Sequence, residues 1–400
     1  MSLSLDDIDF LTRARGAMLL ERLYSDDLRD SHVLTVLTRL RKEYTTDQAR
    51  AAVELVRLRV RAAEKFGAHA RQLFFTRDAL EQASDPRISR YRARTTHAEH
   101  VVDVCCSIGT DALAFAQAGA HVVGIDIDPV RIRMAQLNAQ AVGASAHFHV
   151  HDAHTYQPPD DVQRIFFDPA RRGDDGVRIV DVERYQPPLS LVKNWRVPRT
   201  VVKLSPGVQI EHVRAYGGVL EFISVNGDLK EASLAIVDGG AGGELTVQAA
   251  LITDDHLLHW GHADQPVESR LSQPRAWLIE PDPALIRAGL VADAALRWGG
   301  FQLDDTIAYI TADQAPHSPW ARAWRVIDWL PFNLKKLRDV LRARGIGTVT
   351  VKKRGTIVTP ETLIPQLRLK GEASCTVILT RLQGEQIVIV TEDYIALQDT

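Results

Sequence analysis

Through residues 1–95 apolar positions recur at helical spacing, as at Ala51, Val53, Leu55, Val56, Leu58 and Val60, among many Arg and Lys residues. That period predicts a helical N-terminal domain. The turn-forming run SDPRIS at 84–89 and the Arg-rich RYRARTTH at 90–97 lead into the first strongly apolar segment. From Val101 the pattern changes: VVDVCC, DALAFAQAGA, HVVGID and PVRIRMAQLNAQAVG read as strand, helix, strand, helix. Such alternation predicts a parallel sheet with crossover helices. Further strands are expected at AHFHV, RIFFD, TVVKLS, LEFISV, EASLAIV and LTVQAALIT. The last three lie too close together for helices between them, so they should pair antiparallel at one end of the sheet.

Beyond Thr253, Pro266, Pro274, Pro281 and Pro283 punctuate short elements, and 256–314 reads as a connector. Residues 315–400 then combine a helix, LKKLRDVLRARG, stopped by Gly345, with the strand-like runs TVTVKKRG, TVILTRL and QIVIVTE. The expected organisation is a helical N-terminal domain (1–95), an α/β domain of Rossmann-like type (96–255), a connector (256–314) and a small α+β domain (315–400).

Four hundred residues exceed one ordinary hydrophobic core, which agrees with several domains. A formal charge of -3 with 25% charged residues removes any argument for nucleic-acid binding from global charge, so such an argument must rest on local clustering. The cysteines are Cys105, Cys106 and Cys375, a poor basis for a disulfide framework or a zinc site. The N-terminus lacks the apolar run of a secretory signal, and no stretch approaches the roughly 20 apolar residues of a membrane span. A cytoplasmic protein without membrane association is expected.

Candidate chemistry begins where the first strand meets the first helix, at Asp103-Val-Cys-Cys-Ser107-Ile-Gly109-Thr-Asp111. Gly109 permits close backbone approach to a ligand, and the helix N-terminus offers unpaired N–H groups. Asp126 closes the second strand at the distance where nucleotide-binding folds place a ribose-hydroxyl ligand. Asp152, just past AHFHV, is placed to reach an adenine amino group. A dinucleotide site shares a glycine turn and a distal acid, but no full GxGxxG occurs here.

The run VDVCCSIGTDALAFA followed by VVGIDIDP resembles class I methyltransferases, particularly the trimethylguanosine-synthase-like group. The resemblance implies S-adenosylmethionine as cofactor, with Asp103 and Gly109 around its methionine part, Asp126 on the ribose and Asp152 near the adenine. Ser107 stands where that family usually has the first glycine of its GxG.

The fourth strand ends in Phe166-Phe167-Asp168-Pro169-Ala170-Arg171-Arg172-Gly173, at the sheet edge where ligands bind in open α/β folds. Asp168 and Pro169 are the candidate catalytic pair, with Asp168 holding an acceptor N–H or O–H. Exocyclic-amine methyltransferases carry a second proline and an aromatic at the next two places, where this chain has Ala170 and Arg171. DPAR also resembles the motif of uracil-5 RNA methyltransferases, which add a cysteine after the fifth strand. Here that strand ends Lys203-Leu204-Ser205-Pro206-Gly207, so covalent activation of a pyrimidine carbon is not expected. Cys105 and Cys106 read as small buried side chains.

His147, His149 and His151 share one strand face, with His154 behind, and read as polar edge residues with no metal. Phe74, Phe75 and Tyr91 offer either base stacking or core packing, with core packing the expectation for the phenylalanine pair. Between 331 and 370 a dense set of Lys and Arg faces only Asp339 and Glu361. Lys352, Lys353 and Arg354, followed by Gly355, are the candidate phosphate contacts, with Arg171 and Arg172 on the catalytic side. The segment from Pro331 to Gly355 resembles the THUMP-like domain attached to a group of bacterial methyltransferases, which implies structured RNA as partner. The function expected is methylation of an RNA nitrogen. The alternatives are a methyltransferase for a small molecule or protein, or a non-catalytic module binding cofactor and RNA.

Overall fold

The computed structural model describes residues 3–171, 179–240, 243–254, 256–261 and 267–394. Arg172, a candidate substrate contact, lies outside the described residues. The chain divides into two compact units, one of Met1–Leu220 with Glu231–Thr246 and one of Glu221–Lys230 with Val247–Thr400.

The first unit opens with the helices Leu5–Thr12, Ala14–Leu23, Asp30–Leu40 and Thr46–Phe66. The longest starts at a capping box formed by Thr45 and Gln48 and ends at Gly67, whose φ of +57° suits a residue without Cβ. Its buried stripe includes Ala49, Ala52, Val53 and Val56, whereas Val60, at 62% exposure, faces outward. The segment after it packs Phe74 and Phe75 into the same core, so this pair serves packing and not base stacking. Asn138 ties that segment to the rest of the unit: its Oδ1 accepts from Phe74 N (2.7 Å), and its Nδ2 donates to Phe74 O (3.2 Å) and Ile108 O (3.1 Å).

The Rossmann-like core contains β1 (His100–Val104), β2 (His121–Asp126), β3 (Ala146–Val150), β4 (Arg164–Phe167) and β5 (Arg199–Leu204), all parallel. Crossover helices Thr110–Gln117 and Pro129–Val142 join the first three strands. The order is β3-β2-β1-β4-β5, so chain direction reverses its progress across the sheet between β1 and β4. That switch point is where doubly wound sheets open a crevice for ligands. After β6 (Gly218–Val225), strand β7 (Asp228–Val237) returns antiparallel to β5, with Lys203 opposite Ser233. His147 and His149 are exposed on the edge strand β3, with Phe148 between them turned into the core. Among the described residues no group of three or more His, Cys, Asp or Glu side chains converges to hold a metal, and no helix is long and apolar enough to cross a membrane.

The second unit departs from expectation. Residues read as a connector instead supply β10 (Trp277–Pro281), β11 (Phe301–Asp304) and β12 (Ile307–Ala312), after the hairpin of β8 (Leu245–Ile252) and β9 (Leu257–Gly261). They share one sheet with β13 (Ala321–Pro331), β14 (Ile346–Lys353), β15 (Ala373–Leu382) and β16 (Glu385–Thr391), in the order β11-β12-β10-β13-β16-β15-β14. The long strand β13 makes this possible, pairing β10 with its first half and β16 with its second. The predicted helix forms over Leu334–Ala343, and β14 runs parallel to β15 through the crossover helix Pro360–Leu367. Prolines that mark strand ends and helix starts, such as Pro281 and Pro283, look in sequence like those of an irregular linker.

Candidate functional site

The turn after β1 folds around the carboxylate at the end of β2. Asp126 Oδ2 accepts from Ser107 N (2.9 Å) and its Oδ1 from Asp128 N (3.0 Å). Each oxygen keeps a second lone pair for a ligand hydroxyl. Burial pushes the Asp126 carboxyl up, and the two backbone donors offset this in part. The turn is tight enough to drive Cys105 (φ +62°), Ser107 (φ +51°) and Gly109 (φ +83°) into left-handed conformation.

Glycine, which the methyltransferases this run resembles carry at position 107, adopts such a backbone without strain. Left-handed backbone costs a residue with Cβ about 1–2 kcal/mol, against about 0.5–1 kcal/mol of extra chain entropy for glycine. Ser107→Gly is therefore expected to stabilise the protein by up to about 1 kcal/mol, which thermal unfolding measures. Gly109 also meets a packing constraint. A Cβ there would meet Phe148 Cζ at 3.0 Å and Ala135 Cβ at 3.2 Å, so its bare side accommodates core side chains behind the turn.

Asp103, 1% exposed, accepts at Oδ2 from Ala112 N (2.9 Å), while its buried Oδ1 has no hydrogen-bond partner among the described residues. Burial, then Asp111 and Asp168, push its carboxyl well up. A buried acceptor left without a donor costs about 1–3 kcal/mol, so the site is built for a donor or cation supplied from outside the chain.

A cavity of about 430 Å³ brings the strand-end acids together: Asp103, Ser107, Asp126, Asp152 and Asp168 all line it. Gly109, Pro169 and Arg171 stand outside its lining. Asp152 Oδ1 accepts from His154 N (2.9 Å). Arg171 donates from Nη1 to Leu204 O (2.9 Å), which ties this candidate phosphate ligand to the end of β5. Cys105 lines the cavity, and burial pushes both its thiol and that of Cys106 well up, away from the nucleophilic thiolate.

Three features of the site escape a reading of the sequence. Lys203 reaches from β5 to place Nζ 2.8 Å from Asp168 Oδ2 and 2.9 Å from Gln82 O. A lone lysine within the apolar run VVKLS is its only sequence signal. Second, Arg92 pairs in a buried cluster with Asp111 and Glu231, its guanidinium 4.2 Å from the Phe166 ring centroid. Burial disfavours the charge on Arg92, yet its two acids hold the group above its ordinary range. Third, Tyr185, Gln186, Pro187 and Pro188 wall the cavity, because Ala170 and Gln186 exchange backbone hydrogen bonds of 2.9 and 3.0 Å. Proline and aromatic groups absent after Asp168-Pro169 thus enter from a distant segment.

In the second unit, strand alternation separates the candidate phosphate contacts. Lys352 and Arg354 both turn to Glu280 of β10, Arg354 Nη2 lying 3.1 Å from Oε1. Lys353, on the opposite face, is exposed. Arg344 pairs with Asp328 (2.9 Å), and Arg338 and Arg342 donate to the carbonyls of Gln366 and Arg368. Much of the basic segment thus has partners inside its own unit.

A Rossmann-like sheet whose carboxyl-end cavity gathers the acids of consecutive strand ends has the architecture of a class I methyltransferase. The residues present fit S-adenosylmethionine, since the unmet Asp103 Oδ1 and the paired oxygens of Asp126 match its ammonium and diol. The chain belongs to the S-adenosylmethionine-dependent methyltransferases: it is 35% identical over 353 residues to an uncharacterized S-adenosylmethionine-dependent methyltransferase of Mycobacterium tuberculosis, covering 86% of this chain and 96% of the relative. The family model for a methyltransferase domain matches residues 101–168, that for a THUMP domain-like region matches 321–393, and that for a domain of unknown function matches 4–62. A crystal structure of a proposed methyltransferase from Porphyromonas gingivalis W83 shares the fold, with a TM-score of 0.71 at 17% identity over 91% of this chain and 98% of that one. Over 120 residues, 26% of each chain, the sequence is 33% identical to an uncharacterized RNA methyltransferase of Halalkalibacterium halodurans.

Proposed function

We propose that this enzyme methylates a nitrogen of structured RNA, in a manner akin to the trimethylguanosine-synthase-like group. S-adenosylmethionine supplies an electrophilic methyl group on a sulfonium when bound. Asp126 would hold its ribose hydroxyls, Asp103 its ammonium and Asp152 its adenine amine. The observation that carries the reading is the Asp168 carboxylate, ion-paired with Lys203 at 2.8 Å and lining the same cavity as these acids. An ionised carboxylate only accepts hydrogen bonds, so Asp168 suits an acceptor atom that brings its own N–H. Holding that nitrogen in line with the methyl group is the main contribution such a site makes to rate. Tyr185 and the two prolines beside it give the cavity an apolar wall that excludes water.

RNA as substrate is supported by the name of the H. halodurans relative, by the THUMP domain-like region and by the exposed Lys335, Lys336 and Lys353. Mass spectrometry of modified nucleosides from a deletion strain tests the proposal. A methylated nucleoside missing from the deletion strain and restored by the wild-type gene is expected. Identical profiles across all RNA species would end the RNA claim. The engagement of Lys352 and Arg354 by Glu280 favours a second reading, a small-molecule or protein substrate.

The lysines separate the two readings. If RNA binds this unit, Lys353→Ala should weaken binding and lower the salt slope of log K by about one, the change expected when a single phosphate is no longer neutralised. Lys352→Ala, which removes a charge already paired, should lower stability more than it changes that slope. Binding measured by anisotropy across a salt series distinguishes the two outcomes.

A further inference from the structure

We propose that Lys203 is a positioning residue for methyl transfer, holding the Asp168 carboxylate in the direction that presents it to the acceptor. The inference rests on the reading of Asp168 as the group that receives the acceptor N–H. Lys203 lies in β5 between the buried Val202 and Leu204 and is itself 2% exposed. An ammonium in such a place costs several kcal/mol in lost hydration unless it is fully paired, so packing gives no reason for it. Its partners give one. Asp168 Oδ2 lies 2.8 Å from Nζ on one side, and Gln82 O lies 2.9 Å away on the other. Asp168 and Gln82 both line the cavity, from the end of β4 and from the N-terminal helical segment. One buried cation therefore joins the catalytic carboxylate to a wall of the same cavity.

The surrounding charges show why a cation is needed at this point. Asp103 on β1 interacts with Asp168, while Asp111 on the helix Thr110–Gln117 and Glu231 on β7 interact with Lys203. Arg92 attracts Asp168 from the helix Pro86–Arg94, and Lys65 approaches Lys203 from the helix Thr46–Phe66. Arg171 adds its field at Glu231. Arg92 is already shared between Asp111 and Glu231. Removing Lys203 would take away the hydrogen bond that fixes Asp168 Oδ2. A carboxylate without that anchor is free to rotate away from the direction that presents it to the acceptor. With Lys203 present, Oδ2 is held and Oδ1 is left for the acceptor nitrogen.

A double-mutant cycle on the full chain tests this, using Lys203→Met, Asp168→Asn and the double variant. Single-turnover transfer of labelled methyl to RNA from a deletion strain gives the rate, and calorimetry with S-adenosylhomocysteine checks the cofactor site. Lys203→Met is expected to lose about 100-fold in rate, the order that misplacing a reacting group costs, with ligand affinity unchanged. The double variant is expected to be no slower than Asp168→Asn alone, because Lys203 has nothing left to position. Losses that multiply, or a wild-type rate in Lys203→Met, would overturn the proposal. The double variant removes the buried charge together with its partner, so it remains measurable if the single lysine variant does not fold.

A second measurement needs no RNA. With 13C-labelled aspartate carboxyls, the Asp168 signal, identified by its absence in Asp168→Asn, is expected to move in Lys203→Met, and an unmoved signal overturns the proposal. If the wild-type enzyme labels no RNA, the proposed substrate fails while this readout still decides the role of Lys203.

Discussion

Arg92→Met is expected to lower unfolding free energy by about 3–5 kcal/mol, the cost of leaving buried partners uncompensated. Arg92, Asp111 and Glu231 are all buried, and the guanidinium serves both acids while stacking on Phe166. Burial works against ionisation of Asp111, and Arg92 with Lys203 overcomes it, leaving that carboxyl below its ordinary range. For Glu231 burial prevails, and Arg92 offsets only part of the rise. The sign of the pH dependence follows. In the wild type, Asp111 contributes stability above the ordinary carboxylate range that is lost as pH falls through its lowered folded value. In Arg92→Met both acids titrate upward in the folded state, so folded protein binds more protons than unfolded and stability falls as pH rises. The loss should accordingly be larger at pH 8 than at pH 5. Urea unfolding at both values measures it, and an equal loss at each would assign the effect to packing against Phe166. Replacing all three residues by neutral isosteres should recover much of the stability.

Asp126→Asn is expected to weaken S-adenosylhomocysteine binding by about 10- to 100-fold. Hydrogen bonds to a charged group are worth about 1.5–3 kcal/mol, and about 1.4 kcal/mol is a factor of ten in affinity. The change also disturbs the turn, since an amide offers one oxygen where Ser107 N and Asp128 N now use two. Because burial raises the Asp126 carboxyl and the proposed ribose contact needs its ionised form, wild-type affinity should decline as pH falls through that raised value. The decline should vanish in the variant. Calorimetry over a pH series tests both, and unaltered affinity in Asp126→Asn would remove this residue from the cofactor site.

Much of the fold is legible in the amino-acid order because it depends on local period. Residues 101–150 carry strand and helix patterns short enough for the chemistry of each segment to decide its own conformation, and β1, β2 and β3 form where the apolar runs lie. The acids Asp103, Asp126, Asp152 and Asp168 are legible for the same reason: each stands at or just after a strand end, and parallel strands bring those ends to one edge. The stretch before β13 is not legible, since its strands are short, interrupted by prolines and defined by pairing with residues up to 48 positions later in the chain, as Trp277 with Arg325.

The charged residues divide along the same line. Sequence proximity makes Lys352, Lys353 and Arg354 look like one basic patch, because Glu280 lies far from them in the chain and the strand pleat is invisible in a charge count. Arg92 looks like one of many arginines in RYRAR, whereas its depth depends on Asp111 and Glu231 converging from a helix and from β7.

What the sequence by itself determined is the class of element through the Rossmann-like core and the acids at the strand ends, because both follow from spacing within a few residues of chain. Tertiary structure decided which charges are free and which are spent, that Lys203 stands behind Asp168, and that Tyr185 to Pro188 complete the cavity beside Ala170. Those facts are distances between segments far apart in the chain, and no local pattern contains them.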